Sequence, residues 1–154
     1  EIDNAMLCSE VTGLLYSSNL LLVKDAINVL STKKCLDAIP ALIQILDSNE
    51  IEKYYEKDEG YPIALYAAEG LMTLGKGVKE QKALTQVQKD AAEVCLNAAA
   101  DWFNAHLGDK RELRNPYRTL AHQSLWHLYL LIGSISKAKD YYYKWIEEHP
   151  EDRI

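Results

Sequence analysis

Apolar residues recur every three or four positions along most of this chain, and no stretch alternates apolar and polar residues between turn-forming boundaries. That period predicts an all-α protein. Met6, Leu7, Val11, Leu14 and Leu15 form the stripe of a first helix over 4–16, which Ser17, Ser18 and Asn19 interrupt. Leu22, Val23, Ala26, Ile27 and Leu30 mark a second over 20–30. A third runs from 35 or 36 to about 46. Pro40 falls in its first turns, where a missing amide donor costs least.

Between 47 and 61 the period stops, and a loop is expected. Helix resumes at Pro62, with Ile63, Tyr66, Ala67, Gly70, Leu71 and Leu74 inward, and Gly75-Lys76-Gly77 reads as its stop. Thr85 and Gln88 have the spacing of a capping box and open the longest helix, 85–107. Its apolar residues cover two adjoining faces: Val87, Ala91, Cys95, Ala98 and Trp102 on one, Ala92, Leu96, Ala99, Phe103 and Leu107 on the other. A helix so widely apolar is expected at the centre of the molecule. Asn115-Pro116 then starts a helix that ends at Gly133. A last one follows within about three residues, with Ile135, Ala138, Tyr142, Trp145 and Ile146 as its stripe. So short a link predicts an antiparallel hairpin. The architecture expected is one domain over 1–154, an irregular α-solenoid or helical-repeat-like bundle of about seven helices.

Composition narrows the functional classes. At 154 residues, 48% apolar and 26% charged, the chain is ordinary globular material, and no apolar run in it, Leu20 to Val23 included, is long enough to span a bilayer. Basic residues number 17 against 23 acidic, a net of −6, and the four arginines make no stripe for a phosphate backbone, so neither membrane nor nucleic acid is the expected partner. An acidic surface favours a basic protein. Cys8, Cys35 and Cys95 are odd in number, far apart and set among apolar residues, which reads as three buried free thiols and a reducing, cytoplasmic location. Because the chain opens on Glu1, a removed signal peptide is compatible with it.

Candidate chemistry is sparse. His122 and His127 lie five apart, about 140° around a helix, so they diverge. His122 is expected at the surface and His127 partly buried. His106 and His149 add no ligand spacing, and no zinc, phosphate-loop or nucleophile-elbow motif occurs. In the acidic loop, Ile51 and Glu52 stand where an EF-hand needs an oxygen ligand and a glycine. No catalytic residue, metal or cofactor is expected. What stands out is the mixture of Glu52, Tyr54, Tyr55, Glu56, Asp58, Glu59 and Tyr61, since tyrosines bury area at low entropy cost while their hydroxyls and the acids keep bonding. These seven are the expected partner-binding residues. In Tyr141-Tyr142-Tyr143, Tyr142 is expected inward and its neighbours on the flanks.

The run Ala38-Ile39-Pro40-Ala41-Leu42-Ile43, with Ile45-Leu46-Asp47 and then Ile63, Ala67-Ala68, Leu71 and Gly75, resembles a HEAT-like repeat over about 35–76. Leu125, Tyr129, Gly133, Ala138, Tyr142 and Pro150 resemble a tetratricopeptide-like hairpin over about 116–150. Both resemblances imply stacked helix pairs that scaffold protein binding, without catalytic residues. The expected function is a non-enzymatic interaction module for a basic partner, in its most specific form a bacterial toxin-immunity protein. The alternative is an enzyme or small-ligand binder with a pocket between the long helix and the hairpin, lined by Trp102, His106, Trp126 and His127.

Overall fold

The computed structural model describes residues 4–47, 63–106 and 117–148, and within them seven α-helices and no strand, so the all-α class holds. They are α1 (Asn4–Gly13), α2 (Leu20–Thr32), α3 (Ile39–Leu46), α4 (Ile63–Lys79), α5 (Gln86–His106), α6 (Tyr117–Ile132) and α7 (Ile135–Glu148). Single 3-10 turns follow α1 (Leu14–Tyr16) and precede α3 (Leu36–Ala38). The chain forms two compact units, Glu1–Ala98 and Ala99–Ile154. No helix among the described residues is long and apolar enough to cross a membrane.

In the first unit the helix ends follow local chemistry. The Asn19 side chain accepts from the amides of Leu21 and Leu22, at 3.1 and 3.4 Å, and opens α2. The Thr85 hydroxyl accepts from the Gln88 amide at 3.1 Å, and the Gln88 side chain accepts from the Thr85 amide at 3.0 Å, completing the expected capping box of α5. α2 closes on a Schellman motif. The Cys35 amide reaches back to the Leu30 carbonyl and the Lys34 amide to that of Ser31. The residue between, Lys34, has φ 57°, a left-handed conformation unusual for a side chain of its length. Val23, Ala26, Ile27 and Leu30 of α2 are buried with Leu42 of α3 and Leu71 and Leu74 of α4.

Two glycines decide how closely these helices pack. A Cβ at Gly70 would stand 2.7 Å from Ile27 Cγ2 and 2.8 Å from Ser31 Oγ, so α4 crosses α2 at van der Waals contact there. A Cβ at Gly75 would meet Leu96 Cγ at 2.8 Å, where α4 meets α5. Gly75 is therefore no helix stop. α4 runs on to Lys79, because the glycine is needed for a close approach and not for a turn.

Cys8 and Cys35 are not free thiols: they form a disulfide, their Cα atoms 5.5 Å apart, that ties α1 to the end of α2. Apolar surroundings suggested three inert thiols, but helix packing brings two of them together across 27 residues of chain. Cys95 alone remains a free, buried thiol among the described residues.

In the second unit, α6 and α7 pack along each other as the expected hairpin. Gly133, at φ 95°, is the left-handed residue of another Schellman motif, with the Ser134 amide bonded to the Tyr129 carbonyl and the Gly133 amide to that of Leu130. Phe103, Leu125, Leu128 and Ala138 are buried. Both histidine expectations for α6 reverse, since His122 is only 3% exposed and His127 is exposed. The buried face of α6 centres on Leu125 and Leu128, and His122 lies one turn before Leu125 on that face. On α7 the inward stripe is Ala138, Tyr141 and Trp145, so Tyr141 takes the place expected for Tyr142, which is 38% exposed. α5 buries Ala92, Cys95, Leu96, Ala99, Trp102 and Phe103, whereas Val87 is exposed.

Candidate functional site

Glu69 is the one acid in α4, and it stands between Ala68 and Gly70. Tyr66, Glu69 and Thr73 lie three and four residues apart, so α4 presents them on one face. α2 presents Lys24, Asn28 and Ser31 at the matching spacing, with Asp25 beside them. Because Gly70 has no side chain, the helices cross closely beneath these residues. A groove of about 320 Å³ is left between the two polar rows, with Ile27, Ser31 and Gly70 among its lining. That is the small end of ligand pockets, large enough for one side chain.

Electrostatics in the groove are unbalanced. The Ser31 hydroxyl is satisfied, donating to the Ile27 carbonyl at 2.7 Å. The Lys24 ammonium lies over the Tyr66 ring, 4.8 Å from its centroid. The half-buried Glu69 carboxylate has neither a cation nor a hydrogen-bond donor among the described residues, and burial pushes its pKa above the usual carboxylate value. With Lys24, Asp25 and Glu69 ionised the groove carries a net of one negative charge. Such a place is suited to holding a cation.

A different polar centre lies within the second unit. The Asn104 side chain donates to the Tyr129 hydroxyl at 2.8 Å and accepts from the Tyr141 hydroxyl. The two tyrosine rings stack, centroids 5.5 Å apart and 9° from parallel. Lys137 lies over Tyr129, and Lys144 over Tyr141. Burial first, then the neighbouring Tyr129 and Asp140, raise the pKa of Tyr141, so it stays a neutral donor to Asn104. These bonds tie α5, α6 and α7 together. Beside them Trp126 packs edge-on to Tyr142 and lies 4.0 Å, centroid to centroid, from the exposed His127 ring.

Glu52, Tyr54, Tyr55, Glu56, Asp58, Glu59 and Tyr61, the residues expected to bind a partner, all lie outside the described residues, as does the His106 side chain of the alternative pocket. Trp102 of that pocket is buried, edge-on to Phe103. Among the described residues no three His, Cys, Asp or Glu side chains gather as a metal would need. Burial pushes the Cys95 thiol up to about 12, which leaves almost no thiolate at neutral pH. Helical period alone passed over Glu69 because it flags apolar stripes. The available signal was a lone acid beside a glycine, the one acidic residue of its helix.

No family model matches the chain, and no curated protein or solved structure matches it either.

Proposed function

We propose that the chain is a non-enzymatic interaction module that docks a basic partner protein through acidic, tyrosine-bearing surface. The observation that carries this reading is the concentration of charge in residues 47–61, six acids against two lysines, together with three of the ten tyrosines. Such a patch attracts a cationic surface at long range, and the tyrosine rings then anchor it by burial. The packing of α3 on α4 and of α6 on α7 supports reading each pair as a scaffold of the HEAT-like and tetratricopeptide-like kind. A toxin-immunity protein is the most specific form of the proposal, because occluding a basic active site asks for an acidic surface on a small, stable fold.

The compartment follows cysteine chemistry. Free thiols were the support for a cytoplasmic location, and the Cys8–Cys35 disulfide favours an oxidising one, where such bonds persist.

The test separates the two contributions. With a partner recovered on the immobilised chain, reversing the charges of Glu52, Glu56 and Glu59 is expected to slow association and flatten its salt dependence. Tyr54→Ala or Tyr55→Ala is expected to speed dissociation, at about 1 to 3 kcal/mol for a hot spot. Unchanged affinity after deletion of the loop, with the helical signal intact, would remove the proposal.

A further inference from the structure

We infer that the groove between α2 and α4 is a seat for one arginine side chain of a partner protein, its guanidinium held by the Glu69 carboxylate beside the Tyr66 ring. The inference rests on the reading that the partner is basic, and it names a place and a chemistry outside the acidic loop.

Three features of the groove converge on this occupant. Glu69 is a half-buried carboxylate with no cation or donor among the described residues, and such a charge is costly to keep unless something neutralises it. Tyr66, one turn before it, already serves as a cation platform, since the Lys24 ammonium lies 4.8 Å from its ring centroid. Lys24 has thus settled on the ring and left the carboxylate unneutralised. Further acceptors, Asp25 and the Asn28 side chain, line the same groove.

An arginine matches this set better than a lysine. The guanidinium is planar, offers five donors in a fixed fork that meets a carboxylate through two bonds, and stacks on aromatic faces. An ammonium is a strongly hydrated point charge that meets one group at a time. The opening, about 320 Å³, suits one long side chain, and Gly70 keeps its floor clear.

The probe is acetyl-arginine-amide, titrated into the full-length, nitrogen-15-labelled protein and followed by amide chemical shifts. Saturable, millimolar binding is expected, with shifts confined to 24–31 of α2 and 66–73 of α4. Acetyl-citrulline-amide, of the same shape without the charge, is expected to bind at least about tenfold more weakly, as is acetyl-arginine-amide to Glu69→Gln. Lys24→Gln, which removes the ammonium that competes for the Tyr66 ring, is expected to tighten binding about twofold to threefold. The citrulline comparison uses the native protein and so stands even where a variant fails to fold.

Equal response to arginine and citrulline, or no shift in α2 and α4, would overturn the seat. Shifts confined to residues 48–62 would overturn it as well, while leaving the basic-partner reading intact. Free arginine binding more tightly than the blocked form would also overturn it, in favour of a small-molecule site. Failure of the wider reading has another signature: charge reversal in the loop leaves partner association unchanged, while the arginine response of the groove persists.

Discussion

Glu69 is placed against its own stability. Its carboxyl pKa is raised by burial, so the folded chain holds that proton more tightly than the unfolded chain does. The favourable contribution is complete below the ordinary value of 4.5, and it is lost as pH rises through the raised folded value. At neutral pH the charged form is a net cost. Glu69→Gln is therefore expected to raise the melting temperature at neutral pH and to narrow the gap from the wild type as pH falls through that window. Thermal unfolding of both proteins across acidic and neutral pH checks it. Residues that weaken a fold in this manner concentrate where function holds them.

Glycine gives a second prediction at the same scale. At Gly70 an added methyl would meet Ile27 Cγ2 and the buried, hydrogen-bonded Ser31, neither of which can swing away. At Gly77 it would meet only the flexible Lys34 side chain, nearest at Cε, 3.3 Å away. Gly70→Ala is expected to cost about 1 to 3 kcal/mol by overpacking. Gly77→Ala is expected to gain up to about 1 kcal/mol from helix propensity. Denaturant unfolding of the two variants separates close approach from the general cost of glycine in a helix.

Among the elements, α1 depends most on a covalent tie. Its own sequence offers a weak amphipathic stripe, with Met6 and Leu14 exposed near its two ends, and the disulfide fastens it through Cys8 to the turn that closes α2. Closing 27 residues of chain restrains the unfolded state by about 3 to 4 kcal/mol in the chain-entropy account. The double variant Cys8→Ser, Cys35→Ser is expected to lose stability of that order. Thiol titration of the unreduced, unfolded wild type is expected to find one reactive thiol, that of Cys95; three would contradict the bond. The same tie bears on Lys34, since Cys35 anchors the Schellman motif whose left-handed position Lys34 fills.

For the molecule as a whole, α5 is the element whose protection is most informative. Ala92, Cys95, Leu96 and Ala99 are almost fully buried. Slow amide exchange is expected across 91–99, with a far-ultraviolet spectrum free of sheet; rapid exchange there would contradict the packing of α4 on α5 at Gly75 and Leu96.

The helices themselves, the Thr85–Gln88 capping box, the break at Ser17-Ser18-Asn19 and the Gly133 turn were all legible in the chain. Each is decided by groups within about four residues of one another, through hydrogen bonds and side-chain periods that a sequence displays directly. The partner of Cys8, the burial of His122 over His127, the inward turn of Tyr141 and the unneutralised carboxylate of Glu69 were not. Gly75 shows why: its local signal, a glycine near lysines, matches a helix end, and only Leu96 on another helix reveals that it serves packing. Those features depend on which residues far apart in the chain come to lie together. Helical period restricts a side chain to one face of its helix; the neighbouring helix decides what that face meets.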